Sequence, residues 1–295
     1  MKRILYILIA LLVSANASAQ IERAAKSVFT LTTFKKDGTI LASTHGVYVG
    51  ANGEAISSWT PFVGADSAIV IDARGNQTTV TALIGANELY NLCKFKVAGR
   101  TQPAPVASVA SKKGEKVWIL QYSVNKPQID QRAVQSVEPF MSKYSYYIFS
   151  SNVPDNTDDC PMVNARGEVI GLLQHSKSGD QVYAADANFI NDMSVADGLV
   201  IASQVLRQSF IPIDFPTEHK QAAVMLALTS EQGDSAMYQK YIRSFITRFP
   251  TAIEGYSALA NTQLGRADFA AVDATMQSAL AKADNKAEAH SAYAR

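Results

Sequence analysis

The chain has only four histidines and two cysteines to supply an imidazole base or a thiol nucleophile. A thiol attacks only when a neighbouring base or a lowered pKa supplies thiolate. Cys160, with His175 closing the run Gly171-Leu172-Leu173-Gln174, is therefore the pair to consider, against the plainer expectation of a buried, weakly reactive thiol beside Pro161. His45 precedes the strand glycine Gly46, whereas His219 and His290 fall in a later helical segment, where surface or packing roles are expected. The run Asp155-Asn156-Thr157-Asp158-Asp159 offers oxygens that Ca²⁺ accepts. It lacks the ligand spacing and closing bidentate Glu of an EF-hand loop, so an exposed acidic turn is expected, with no metal and no cofactor. Cys93 and Cys160 are compatible with a bridge in an oxidising compartment and equally with two lone thiols. The run Tyr144-Ser145-Tyr146-Tyr147-Ile148-Phe149 alternates as a strand does; it is barrel core on one face unless Tyr144 and Tyr146 are exposed, when it would be a binding surface.

Short β-type runs position these groups. Val28–Thr32, Gly46–Val49, Ala68–Ile71, Thr78–Ile84, Val117–Leu120, Tyr147–Phe149 and Val169–Leu173 are separated by turn signals such as Lys36-Asp37-Gly38, Ala51-Asn52-Gly53 and Ala165-Arg166-Gly167-Glu168. That pattern predicts an all-β sandwich or barrel up to about Ile190. After Pro216 the spacing turns helical with Ala-rich faces, and the chain matches itself at a shift of 34 residues: Ile253-Glu254-Gly255 falls on Ala287-Glu288-Ala289, and Gly233-Asp234 supplies, one step back, a turn of the same kind as that at Gly265 and Asp268-Phe269. Tyr256, Leu259, Ala260, Gly265, Phe269 and Ala279 fall where tetratricopeptide repeats carry their aromatic, leucine, turn and small residues, and Pro250 takes the repeat-ending position. Such units need neighbours to bury their apolar faces, so an array reaching Arg295 within the first helix of a third unit is expected to be incomplete or to end on a shortened cap.

Lys2-Arg3, the apolar run Ile4–Val13 and the small residues Ala15–Ala19 before Gln20 form the pattern of a cleavable secretory signal, cut near Ala19-Gln20. No integral membrane segment is expected after cleavage, and the product is expected to be periplasmic or secreted. With 47% apolar and 18% charged residues the chain is ordinary globular material, and 27 basic against 26 acidic residues give no reason to expect a nucleic-acid partner.

Three segments carry a resemblance to a known family. Gly46-Val47-Tyr48-Val49-Gly50-Ala51-Asn52-Gly53-Glu54-Ala55-Ile56-Ser57-Ser58-Trp59-Thr60-Pro61 follows the frame that delivers a catalytic His; Asn91-Leu92-Cys93-Lys94-Phe95-Lys96 follows a D-I-A-L-L-K strand; and Asn156-Thr157-Asp158-Asp159-Cys160-Pro161-Met162-Val163-Asn164-Ala165-Arg166-Gly167-Glu168-Val169-Ile170-Gly171 follows the nucleophile loop G-N-S-G-G-P-L-V-N-x-x-G-E-V-I-G. Residues 24 to 195 thus resemble a trypsin-like serine protease of the high-temperature-requirement type. The resemblance implies a double β-barrel; together with the readings above, the chain is expected to comprise a signal over 1–19, the barrels over 20–211, a linker over 212–218 and helical repeats over 219–295.

The same frame implies what has been substituted. Thr60 stands in the His position, Asn91 in the Asp position and Asp158 in that of the Ser, while Asp159 and Cys160 replace the two glycines that follow it. A triad works because His takes the Ser proton, a carboxylate holds the His, and backbone N–H groups stabilise the oxyanion. A carboxylate at 158 is a poor nucleophile toward an amide and repels the charge that must develop there. The implied function is protein or peptide binding by a serine-protease-like pseudoenzyme in the cell envelope. Two alternatives stand beside it: a working peptidase, trypsin-like or dependent on Cys160, with Asp159, Cys160 and His175 as cleft residues, and a structural envelope scaffold.

Overall fold

A computed structural model describes residues 17–124, 127–140, 143–149, 157–175 and 182–294. The chain divides into two compact units, one holding residues up to Ser194 with Gln208–Ile211, the other Val195–Arg207 with Pro212–Arg295.

The first unit begins helical over 17–25 (α1). Ile21, Ala24 and Ala25 of this helix are buried, so the residues just beyond the expected cleavage point are packed into the β unit. Six antiparallel strands then close a barrel: β1 Val28–Phe34, β2 Ile40–Tyr48, β3 Glu54–Ser57, β4 Ser67–Asp72, β5 Gln77–Asn87 and β6 Leu92–Val97, in the order β1-β2-β3-β6-β5-β4. Alternation drives the closure: in β1 Val28, Phe29, Leu31 and Thr33 are buried while Thr30, Thr32 and Phe34 are less so, the period-2 pattern of a strand with one face on a core. The β2–β3 turn requires Gly53, at φ 93°, because a Cβ there would lie 2.3 Å from the Val97 carbonyl oxygen.

Seven further strands form a second sheet: β7 Lys116–Gln121, β8 Gln128–Ala133, β9 Ser136–Phe140, β10 Tyr144–Phe149, β11 Pro161–Val163, β12 Val169–His175 and β13 Val182–Asp186, ordered β8-β7-β11-β12-β13-β10-β9. One core, of Val117, Ile119, Tyr147, Phe149, Cys160, Met162 and Leu173 among others, lies within this sheet. Another joins it to the first barrel through Val47, Ile56, Tyr90, Leu92, Leu120 and Leu172.

The run Tyr144–Phe149 is buried from both sides. Tyr147 and Phe149 enter the core of the second sheet; Tyr144, 6% exposed, and the half-buried Tyr146 pack against Tyr90, Phe140 and Phe189. These aromatics are core, and the binding-surface alternative does not hold for this strand.

In the second unit, helices α2 His219–Ser230, α3 Ser235–Arg248, α4 Ile253–Leu264, α5 Phe269–Lys282 and α6 Lys286–Tyr293 pack each on the next, and α4 also touches α2 and α6. Four begin on a side-chain cap, Glu218, Asp234, Asp268 and Asn285 accepting from first-turn N–H groups. The stretch expected as a linker is packed into this unit: Ile213 and Phe215 are buried, the Ile213 N–H donates to the Tyr241 hydroxyl at 2.9 Å, and Asp214 pairs with Arg248 at 2.7 Å. Pro212 and Pro216 interrupt regular structure, but the apolar residues between them have a core to enter. Among the described residues no helix is long and apolar enough to cross a membrane.

Candidate functional site

Thr60 and Asn91 meet at one edge of the first unit. Thr60 opens a short 3₁₀ turn, Thr60–Phe62, that follows β3, and Asn91 sits just before β6 with φ 49°, a left-handed conformation that Asn tolerates. The Asn91 side-chain oxygen accepts three bonds, from the N–H of Trp59 at 3.1 Å, the N–H of Thr60 at 2.8 Å and the Thr60 hydroxyl at 2.8 Å. Two backbone donors point at one atom, so that atom is the amide oxygen and not its nitrogen. The neutral pair thus joins the positions where the resemblance expects Asp and His. Neither group moves a proton near neutral pH, because a Thr hydroxyl and a carboxamide do not titrate there.

On the facing loop Asp158 is exposed, and its carbonyl oxygen accepts from His45 Nδ1 at 3.2 Å. Since a carbonyl takes only a donor, Nδ1 carries the proton. The structure therefore brings to this loop a histidine that sequence patterning did not place there, and directs it at the backbone. Asp159 has φ 61°, which an L-residue adopts at a cost and a glycine does not. Its carboxylate is turned back onto the first barrel, where Oδ2 accepts from the buried Ser58 hydroxyl at 2.6 Å and from the Thr44 hydroxyl. Burial raises the Asp159 pKa above the usual carboxylate value, the two hydroxyls oppose that rise, and the neighbouring Asp158 adds to it. Of the two positions where glycine was expected, only 159 has kept a left-handed backbone among the described residues.

Cys160 does not face this edge. Its side chain is fully buried with Ile119, Met162 and Leu173, and desolvation, followed by the charges of Asp159 and Asp158, pushes the thiol up to about 12. This is the reverse of what a nucleophile needs, so its expected place as a rescue residue in the cleft is corrected to a core position. Cys93 is also buried and its thiol is pushed well up by desolvation; both cysteines are free. The His175 side chain, Asp155 and Asn156 lie outside the described residues. Among the described residues no cluster of three His, Cys, Asp or Glu side chains could hold a metal ion. Of the remaining histidines, His219 packs on Phe245 and Phe249 and lies 3.3 Å from Glu254, and His290 is exposed.

A closed six-stranded barrel followed by a seven-stranded barrel-like sheet, with these loops meeting between them, is the trypsin-like double-barrel fold. Two solved structures of that class are similar to this chain. One is a serine endoprotease from Yersinia pestis, with a TM-score of 0.50 and 16% identity over 65% of this chain and 66% of that one. The other is a protease from M. tuberculosis in its active form, with a TM-score of 0.50 and 12% identity over 59% of this chain and 82% of that one. At such identities the likeness concerns fold. No protein-family model and no curated protein sequence matches the chain.

Proposed function

We propose that this chain is an exported, serine-protease-like pseudoenzyme that binds protein or peptide in the periplasm or outside the cell, its helical unit being a set of tetratricopeptide-type repeats. One observation carries the reading: at the edge where the fold class does its chemistry, Thr60 and Asn91 are bonded to each other as a neutral pair. Without an imidazole there, nothing draws a proton from residue 158, and residue 158 is itself a carboxylate. Loss of a triad costs on the order of a million-fold in rate.

The repeat assignment is supported by the caps Asp234 and Asp268, which stand 34 residues apart at the starts of α3 and α5. A groove of about 540 Å³ runs along α2, α4 and α6, lined by Ala223, Ala227, Ser257, Ala258, Asn261 and Ser291 among others. Small side chains leave the backbone surface open to an extended segment, as a concave repeat face does.

The test is labelling of the purified protein with fluorophosphonate and iodoacetamide probes beside a casein-peptide digest, with an active trypsin-like protease as control. Neither probe reacting above the unfolded background, with no cleavage, is the expected result. Selective labelling of Cys160, together with loss of cleavage in Cys160→Ala, would overturn the reading and make the chain a cysteine hydrolase.

A further inference from the structure

At one end of the first barrel, away from Thr60 and Asn91, a cavity of about 530 Å³ is lined by Lys26, Tyr48, Asp72, Arg74, Arg100 and Thr101 among others. Its volume lies within the range of small-molecule sites. Three cations from separate segments border it: Lys26 after α1, Arg74 in the β4–β5 turn and Arg100 after β6. None of their side chains has an ion-pair or hydrogen-bond partner among the described residues. The single acid on the wall, Asp72, is already occupied. Its Oδ1 accepts from the N–H groups of Arg74 at 2.9 Å and Asn76 at 2.8 Å, and its Oδ2 accepts from the Asn76 amide at 3.1 Å.

The second observation is independent of the charges. Tyr48 is 5% exposed, its ring packs on Phe29 at 4.7 Å, and its hydroxyl has no partner among the described residues although it borders the cavity. The ring is buried and held by packing while the hydroxyl opens onto the cavity, so it offers a positioned donor to whatever occupies that space. Desolvation and the Asp72 charge raise its pKa, so it stays protonated and is a donor.

We infer that this cavity is a binding site for a small polyanion carrying phosphate or carboxylate groups. Arg74 and Arg100 offer planar donor forks that match either oxyanion, Lys26 adds a point charge, and Tyr48 donates from the wall. Three cationic side chains stand against a single carboxylate around the cavity. A sugar or a cation would leave the three positive charges unanswered.

Calorimetric titration of the full chain with pyrophosphate and with citrate, at constant ionic strength, tests this, with glycerol as the uncharged comparison. At least one of the two anions is expected to bind with a dissociation constant below about 1 mM, and the preferred anion names the chemistry. The double variant Arg74→Gln/Arg100→Gln should weaken that binding at least about tenfold, in line with the loss of charge-assisted bonds. Tyr48→Phe, which preserves the ring packing, should weaken it about three- to tenfold. Absence of heat with both anions, or binding that neither set of substitutions weakens, would overturn the assignment. Thermal unfolding of each variant without ligand, followed by tryptophan fluorescence, separates lost binding from lost folding.

Discussion

Replacing Asp159 with Asn tests a carboxylate whose ionisation burial in the β unit disfavours. The residue sits at φ 61° with Oδ2 on the buried Ser58 hydroxyl, and burial raises its pKa above the ordinary carboxylate value. The sign follows from proton counting. Between the unfolded value near 3.8 and the higher folded value, the native state holds a proton that the unfolded chain has released. The wild type therefore loses stability as pH rises through that window, by at most about 1.4 kcal/mol per pH unit for one proton. Asn keeps the side chain's shape, tolerates the left-handed backbone and still accepts from Ser58 and Thr44. Asp159→Asn should accordingly be more stable than wild type at pH 7.5, with the gap closing as pH falls toward 4. Asp159→Ala should instead be less stable throughout, by roughly 2–4 kcal/mol, because it leaves the Ser58 and Thr44 hydroxyls without their acceptor and removes the polar side chain that eases a positive φ. Urea unfolding at pH 4.5, 6 and 7.5 followed by tryptophan fluorescence is the assay; both tryptophans, Trp59 and Trp118, belong to the β unit, so the helices do not contribute. An Asn variant no more stable than wild type at pH 7.5, or a pH-independent gap, would refute the argument.

Three further outcomes are expected. Cys93 and Cys160 should both resist a thiol reagent at pH 8 in the native protein and both react in urea, since each is buried and the Cys160 thiol is pushed up to about 12; fast native labelling of either would contradict the packing. Gly46→Ala should destabilise the β unit by about 1–3 kcal/mol in urea titrations, because the added Cβ would lie 2.5 Å from both the Ile56 carbonyl oxygen and the Phe29 ring. Tyr241→Phe should lower the stability of the helical unit by roughly 1–3 kcal/mol, measured by circular dichroism, because the buried Ile213 N–H loses its acceptor.

Much of the barrel was legible because its strands alternate. β1, β2, β4, β5, β7, β10 and β12 coincide with runs in which Val, Ile, Leu, Thr, Tyr or Phe repeat at period 2 or continuously. Three of the strands that simple patterning missed lacked that signal for physical reasons. β8, Gln-Ile-Asp-Gln-Arg-Ala, and β9, Ser-Val-Glu-Pro-Phe, are the two edges of the second sheet, half exposed and polar, and β11 has only three residues. At the site the frame located Thr60, Asn91 and Asp158, but it could not show that Asp159 turns away toward Thr44 and Ser58, or that His45 reaches the Asp158 carbonyl. Both are contacts across more than a hundred residues of sequence, made by side chains whose types carry no periodic signature.

The Thr60–Asn91 pair also explains how a loop of this shape persists without an acid or a base in it. The N–H groups of Trp59 and Thr60 need an acceptor at the start of the 3₁₀ turn, and an amide oxygen serves them as a carboxylate oxygen would. What the amide lacks is charge, which matters only if a neighbour becomes positive. Thr60 never does, and its hydroxyl fills the remaining place on the same oxygen at 2.8 Å. Backbone geometry and proton chemistry, which one carboxylate can serve together, are separable here by exchanging a single oxygen for a nitrogen. The turn's geometry can therefore be held without the charge, and the residues that fix it carry no information about catalysis.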